Sequence, residues 1–160
     1  MPDRLQRLPQ IFAGQPIYFV TTCTHGRQKI LATEKVHQRL QDFATAGPEH
    51  GAWLGAFVLM PDHLHAFVTF DDNDSARLGS WMRLLKNALS KTLKEQGYPA
   101  PHWQKGYFDH VLRSGESYAG KWLYVWNNPV RAGLVEKAEN WPYFGQPFPV
   151  MMPQPKIDAA

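Results

Sequence analysis

The feature that most constrains the fold is the order of the strand-like and helix-like segments. Segments rich in β-branched and aromatic residues predict strands, and segments with apolar residues every three or four positions predict helices. The order is β-α-β-β-α-β, with strands within 16–24, 52–60, 63–70 and 103–113, and helices within 33–46 and 75–96. This order predicts a ferredoxin-like (RRM-like) α+β sandwich, in which helices cover one face of an antiparallel sheet.

Cap and turn residues support these boundaries. Thr33 is a candidate cap for the first helix, and the Pro61-Asp62 pair is typical of a tight turn that joins the second and third strands as a hairpin. A further helix is predicted over 116–128, where Pro129 stops it. This helix is additional to the β-α-β-β-α-β order of the sandwich, so we expect it to have a separate function.

The chain has 160 residues and a net charge of +3, which fits a single domain. We expect an N-terminal extension over 1–15, a domain over 16–145 and an irregular, proline-rich tail over 146–160. A content of 44% hydrophobic and 13% aromatic residues excludes a chain that is mainly disordered. The single cysteine, Cys23, excludes an intramolecular disulfide and a cysteine-rich zinc site.

Hydropathy and charge limit the location and the partners of the chain. No apolar run approaches the ~20 residues that span a bilayer, and residues 1–10 lack the apolar core of a secretory signal. We therefore expect a cytoplasmic protein without a membrane partner. A pI near 9.0 is compatible with a nucleic-acid partner but does not require one.

His63 and His65 are the first candidates for chemistry. Side chains alternate between the two faces of a strand, so both imidazoles point to one face and Leu64 points to the other. Two neighbouring imidazoles can bind a metal ion together. Unrelated surface or core histidines also meet this spacing, but the apolar surroundings favour the metal site, because isolated neutral histidines are poor core residues.

Tyr124 and Asn128 stand four residues apart on the last predicted helix and therefore share a face. A phenol is a nucleophile when a base or a metal assists it, and an amide oxygen is a hard ligand for Mg²⁺ or Mn²⁺. Core packing is the ordinary role of a helical tyrosine, and Asn128 before Pro129 also fits a helix stop. Tyr118, six residues earlier, points in a different direction.

Most charged residues of the helix over 75–96 are basic. These residues form either a solvated face or a surface that contacts phosphates. The DNA-contact hypothesis draws on several elements: Arg27, Arg83, Lys86, Lys105, Arg113, Lys121 and Arg131. Four aromatic residues near these charges are candidates either for stacking on unpaired bases or for core packing: Trp103, Tyr107, Phe108 and Trp126. His110 is a candidate for the same site or for a local ion pair.

Four motifs resemble the HUH (histidine, hydrophobic, histidine) single-tyrosine transposases, and within them the REP-associated tyrosine transposases. The motifs are YFVTTCT (18–24), MPDHLH (60–65), WQKGYFDHVLR (103–113) and YVWNNPVRAGLV (124–135). The HUH motif alone is weakly specific, whereas the four motifs in order, at these spacings, are strongly specific. The resemblance extends over about residues 16–145.

The resemblance implies a transposase, that is, a metal-dependent endonuclease and strand transferase that acts on single-stranded hairpin DNA. His63, His65 and Asn128 match the family's ligands for Mg²⁺ or Mn²⁺, and Tyr124 matches its nucleophile, which forms a 5′-phosphotyrosine intermediate. The resemblance also implies a bacterial protein whose substrate lies in the nucleoid. Relatives include monomers and dimers, so a homodimer is one of the two assemblies that it allows.

Two other classes of function fit part of this sequence. A non-catalytic module of RRM-like fold binds single-stranded nucleic acid through exposed aromatic residues on its central strands, but the third strand here carries histidines. A metal-dependent oxygenase or isomerase of the double-stranded β-helix type also uses a His-x-His pair. That fold needs many short strands, and the two strong helices argue against it.

Overall fold

The structure is a computed structural model that describes residues 16–72, 74–112 and 115–149, with the backbone alone for 115–117. The N-terminal extension expected over 1–15 and the candidate DNA contact Arg113 lie outside these ranges. Residues 150–160 of the expected tail lie outside them as well.

The described elements follow the predicted order. The strands are β1 (Ile17–Cys23), β2 (Ala52–Leu59), β3 (His63–Phe70), β4 (Phe108–Leu112) and β5 (Phe144–Gly145). The helices are α1 (Glu34–Ala46), α2 (Arg77–Glu95), α3 (Gly115–Trp126) and α4 (Asn128–Arg131). The strands pair antiparallel in the order β4-β1-β3-β2-β5, which confirms the ferredoxin-like sheet and adds a two-residue strand at one edge.

Local contacts explain where the first helix and the hairpin form. The Thr33 hydroxyl accepts a hydrogen bond from the backbone N–H of Val36 at 3.3 Å, so Thr33 caps α1 as predicted. The backbone N–H of Met60 donates to the carbonyl of His63 at 2.9 Å and closes the turn between β2 and β3. The predicted hairpin is therefore confirmed, and His63 is its first residue after the turn.

The predicted helix over 116–128 is divided in the structure. α3 ends at Trp126, and Asn128 begins the short helix α4. Pro129 causes the division, because it lacks the N–H group that a continuous helix needs at this position. In the described ranges, no helix combines the length and the apolar character that crossing a membrane requires.

Alternation along β3 divides the sheet into two faces. The even-numbered side chains, from Leu64 to Phe70, point to the face that packs against α1 and α2. The odd-numbered side chains His63, His65 and Phe67 point to the second face. Because α3 lies on this second face, the helix without a place in the sandwich order is the one that covers the predicted site residues.

Phe67 is the centre of the packing on the second face, where its side chain is fully buried. Its ring meets Tyr118 at 4.9 Å and Trp122 at 5.9 Å between ring centroids. At the end of α3, which also carries Tyr118 and Trp122, Trp126 stacks on Phe144 of β5 at 4.3 Å between ring centroids. These three aromatic residues hold α3 against the sheet.

Replacing Phe67 with alanine should lower the free energy of unfolding by about 3–5 kcal/mol, because it removes the ring on which α3 packs and leaves a cavity. Urea unfolding followed by tryptophan fluorescence measures this loss. The control is Leu84→Ala, whose side chain is 59% exposed on α2 and should change stability by less than about 0.5 kcal/mol. Equal losses in the two variants would contradict the packing described for α3.

Candidate active site

The two histidines of β3 lie side by side on the second face. Their ring centroids are 4.8 Å apart, and the rings meet edge to face. Phe19 of β1 stacks on His65 at 5.2 Å and also contacts Phe67. The alternation of the strand therefore brings the two imidazoles together, beside the aromatic packing that holds α3.

Each histidine has its Nδ1 atom occupied by a neighbouring side chain. Nδ1 of His63 lies 2.8 Å from Oδ1 of Asp62, the turn residue before it. Nδ1 of His65 lies 2.7 Å from the hydroxyl of Thr21, its cross-strand partner in β1. A carboxylate only accepts hydrogen bonds, so His63 donates its Nδ1–H to Asp62, and the neutral form of this ring then has its lone pair on Nε2. The Thr21 hydroxyl can donate or accept, and it accepts from Nδ1 of His65 in the tautomer that leaves Nε2 of His65 free for a ligand.

Asp62 is an ionised acceptor for His63. Burial acts to raise the pKa of its carboxyl group, but the hydrogen bond and charge of His63 and the charge of Arg27 outweigh burial and lower that pKa. Nε of Arg27 donates to Oδ2 of Asp62 at 3.0 Å. A carboxylate on one nitrogen of an imidazole fixes the ring and makes the other nitrogen a better metal ligand.

His65 is a neutral imidazole. Burial lowers the pKa of His65 to about 3, and the positive charges of His63, Arg131 and Lys121 act in the same direction. Neutral imidazole is the form that binds a metal. Since the charges of Lys121 and Arg131 act on the pKa of His65, both groups lie near this face of the sheet.

Asn128 approaches the histidine pair from the break between α3 and α4. Its Nδ2 donates a hydrogen bond to Nε2 of His63 at 3.4 Å. The break residue Asn127 has φ −88° and ψ 2°, so the chain leaves the helical path for one residue before α4 begins. Three residues singled out from the sequence, His63, His65 and Asn128, are therefore neighbours in the structure.

The potential donor set consists of two imidazoles and one amide. Within the part of the chain that the structure describes, no cluster of three or more His, Cys, Asp or Glu side chains is arranged to hold a metal ion. A metal here would therefore use Asn128 together with His63 and His65, and take its other ligands from water or substrate. Nitrogen and oxygen donors in this combination fit a divalent ion such as Mn²⁺.

The two tyrosines of α3 have opposite environments. Tyr118 is 5% exposed in the aromatic packing of the second face, and burial raises the pKa of its phenol above the ordinary value. Tyr124 is 58% exposed. Its ring centroid lies 3.8 Å from the guanidinium carbon of Arg131 and 5.9 Å from Nζ of Lys121. Tyr118 is thus a packing residue, whereas Tyr124 is accessible to a substrate.

The basic residues predicted to contact DNA do not form one surface. Lys121 and Arg131 flank Tyr124, and Arg27 is bonded to Asp62. Arg83, by contrast, is exposed on α2, which packs on the opposite face of the sheet. Lys105 is exposed in the loop before β4, and Arg113 has no described position.

Lys86 has a different environment from the solvated helix face that the sequence suggests. Its Nζ donates to the backbone carbonyls of Gly106 at 2.6 Å and Gln104 at 3.3 Å. Burial lowers the pKa of its ammonium group. These contacts make Lys86 a structural link between α2 and the loop before β4, so its removal would disturb that loop.

His110 lies on the edge strand β4, opposite Phe19 of β1. Because β1 separates β4 from β3, His110 is one strand further out than the histidine pair.

Sequence reasoning missed Asp62 and Thr21 as partners of the two histidines. Asp62 directly precedes the motif, which is a usable signal, whereas the position of Thr21 depends on strand register and has no signal in the sequence.

Protonation of His65 should link stability to pH in the metal-free protein. The pKa of His65 is about 3 when folded and close to its ordinary 6.5 when unfolded, so the unfolded state binds one more proton between these values. Stability should therefore fall as the pH drops from 6.5 towards 3, by up to about 1.4 kcal/mol per pH unit. Urea unfolding in chelator over this range measures the slope. His65→Gln should have a shallower slope, and an unchanged slope would refute the role of burial at His65.

Comparison with solved structures supports the fold. A structure described as a REP-associated tyrosine transposase bound to a REP hairpin has a TM-score of 0.65 and 23% identity, covering 81% of this chain and 75% of that chain. A candidate transposase from Deinococcus radiodurans has a TM-score of 0.51 and 20% identity, covering 71% of this chain and 90% of that chain.

Two bacterial relatives are similar along most of their length. A protein of Haemophilus influenzae, described as a candidate REP-associated tyrosine transposase, is 25% identical over 141 residues, covering 82% of this chain and 80% of that protein. A REP-associated tyrosine transposase of Escherichia coli K12 is 22% identical over 126 residues, covering 79% of this chain and 73% of that protein.

A family model described as "Transposase IS200 like" matches residues 15–119. The matched segment contains His63 and His65 and ends before Tyr124. It extends over more than half of the chain. The family predicted from the four sequence motifs is therefore confirmed, and this chain belongs to the IS200-like transposases.

Proposed function

We propose that this transposase is a metal-dependent single-stranded DNA endonuclease and strand transferase that works through a 5′-phosphotyrosine intermediate on hairpin-forming repeats. The observation that carries the proposal is the meeting of His63, His65 and Asn128, with the exposed Tyr124 four residues before Asn128, near the end of α3. Because Nδ1 of each histidine is occupied, the Nε2 atoms are left for a ligand.

His63, His65 and Asn128 are the residues that would hold Mg²⁺ or Mn²⁺. Asp62 and Thr21 fix the two rings, as partners of metal-binding histidines commonly do. Asn128 presents Nδ2 to His63, and a half-turn of the amide group exchanges Nδ2 for Oδ1 at the same place. A bound divalent ion would neutralise negative charge on a non-bridging phosphate oxygen.

Tyr124 is the proposed nucleophile. Its hydroxyl oxygen attacks the phosphorus of a phosphodiester and forms a new P–O bond, while the bond from phosphorus to the 3′ oxygen breaks. The phenol loses its proton to solvent, and the departing strand gains a proton to become a 3′-hydroxyl. The 5′ phosphate stays on Tyr124. Since the phosphotyrosine bond conserves the energy of the phosphodiester, another 3′-hydroxyl can reverse the step and join strands without ATP.

Positive charge around Tyr124 supports a phosphodiester substrate. Arg131 and Lys121 lie over its ring, where they can also attract the phosphates of a nucleic acid strand. The Arg131 contact orients the phenol through a cation–π interaction. The solved relative that is described as bound to a REP hairpin supports hairpin DNA as the class of substrate.

Loss of one ligand should weaken metal binding. We expect His63→Ala to raise the dissociation constant of Mn²⁺ at least about tenfold, because one of the two imidazoles is removed. Isothermal titration calorimetry measures the constant. The matched control is His110→Ala, a histidine on the edge strand that should leave Mn²⁺ affinity unchanged. Equal affinities of wild type and His63→Ala would refute the metal site.

Tyr124→Phe keeps the aromatic ring but removes the attacking oxygen, so it should bind DNA and form no covalent adduct. The assay incubates the protein with Mn²⁺ and 3′-labelled single-stranded hairpin oligonucleotides, and follows transfer of the label to the protein. The matched control, Tyr118→Phe, should form the adduct, because Tyr118 is buried in the packing of α3. Tryptic mapping should place the label on the peptide Trp122–Arg131.

An adduct that persists in Tyr124→Phe and disappears in Tyr118→Phe would overturn this assignment. Binding of hairpin DNA by the wild type with no adduct under any metal would instead support a non-catalytic nucleic-acid-binding module. The assay therefore separates the proposed enzyme from the non-catalytic nucleic-acid-binding module.

A further inference from the structure

We infer that the cavity in front of Phe108 binds one unpaired nucleobase of the single-stranded substrate, stacked on the Phe108 ring. This inference deepens the proposed function and rests on it for the identity of the substrate. The cavity lies on the sheet beside the histidine pair, and of its lining residues only Thr21, which contacts His65, is also part of the proposed metal site.

Strand register places Phe108 in line with the histidines. Thr21 of β1 is the Cα partner of Phe108 in β4 and of His65 in β3. Side chains directly opposite each other in a sheet lie on the same face, so these three residues form one row. Two strand spacings, about 10 Å, separate the ends of the row. A base on Phe108 would therefore be close enough to the histidine pair to belong to the same DNA strand as a phosphate bound there.

Phe108 has an exposure that packing does not explain. Its side chain is 72% exposed, the highest value among the large apolar side chains that the structure describes. The three other aromatic candidates for base stacking are used inside the protein. Trp103 and Tyr107 pack against the core between the sheet and the helices α1 and α2, and Trp126 stacks on Phe144. Of the four candidates, Phe108 is the one whose ring is left for a ligand.

The cavity next to this ring has the size and chemistry for a flat, polar-edged ligand. It has a volume of about 180 Å³ and is lined by Gln104–Phe108 together with Thr21 and Cys23. The side-chain amide of Gln104 carries both a donor and an acceptor, which suit the edge of a base. Lys105 is exposed at the same loop and can meet a neighbouring phosphate.

The loop that forms the cavity wall is held from behind. Lys86 donates to the carbonyls of Gln104 and Gly106, and the N–H of Gln104 donates to the carbonyl of Cys23 at 3.0 Å. Gly106 has φ +74°, a backbone conformation that favours glycine. A wall fixed in this way is formed before a ligand arrives, which lowers the entropy cost of binding.

A larger cavity of about 450 Å³ lies on the other side of the molecule, between α1 and α2. Phe43, Trp81 and Leu84 are among its lining residues. Because α1 and α2 pack on the face of the sheet opposite His63 and His65, this cavity is separated from the histidine pair by the sheet. It therefore supplies a control surface for the experiment.

The test compares two fluorescein-labelled probes by anisotropy in chelator: single-stranded decathymidylate and an abasic strand of equal length. Wild type should bind decathymidylate at least about fivefold more tightly, which is the lower end of the effect of stacking one base on an aromatic side chain. Phe108→Leu keeps an apolar side chain but no ring and should lose most of this ratio, whereas Phe108→Tyr should retain it. The control Leu84→Ala should match wild type.

A wild-type ratio in Phe108→Leu would overturn the inference, and so would a wild type that binds both probes equally. Because the measurement involves neither metal nor cleavage, its outcome is separate from that of the phosphotyrosine assay. A ring-dependent ratio in a protein that forms no adduct would refute the proposed chemistry and leave the base site standing. A protein that forms the adduct but has no ring-dependent ratio would refute the base site and support the proposed chemistry.

Discussion

The packing of α3 on Phe67 is the interaction on which the candidate site depends. Phe67 belongs to the same strand face as His63 and His65, so any helix that packs on it must run beside the histidines. Tyr118 and Trp122 supply the contacts on the helix side. The break at the end of this helix then brings Asn128 next to His63. Side chains that take no part in the proposed chemistry thus set the position of those that do.

Different residues of the site supply the candidate metal ligands and the positive charge. Burial keeps His65 neutral, and the contacts of Nδ1 with Thr21 and Asp62 orient the two rings. Positive charge is carried instead by Lys121 and Arg131, around the exposed tyrosine ring. This arrangement leaves nitrogen lone pairs for a cation and fixed cations for a phosphate. Both are needed where a phosphodiester is to be attacked by a phenol.

The sequence predicts the fold, and the proximity of His63, His65 and Asn128, better than it predicts the surroundings of these residues. Strand alternation is enough to pair His63 with His65, whereas helical spacing does not reveal the break at Asn127 that separates Tyr124 on α3 from Asn128 on α4. The partner of His65 and the row that leads to Phe108 depend on strand register, which follows from packing across the whole sheet. The ammonium group of Lys86 donates to backbone carbonyls of a loop that is about 20 residues away in sequence. The pattern of charges along the helix could not reveal these hydrogen bonds.

The most direct test of this account is the tautomer of His63 and His65 in the metal-free protein at neutral pH. Long-range proton–nitrogen correlation spectra of protein with nitrogen-15-labelled histidine distinguish a ring protonated at Nδ1 from one protonated at Nε2. We expect Nδ1–H for both rings, with the His63 signals changed in Asp62→Ala and the His65 signals changed in Thr21→Val. Rings protonated at Nε2 would contradict this account, because their lone pairs would then face Asp62 and Thr21 and could not bind a metal in the site.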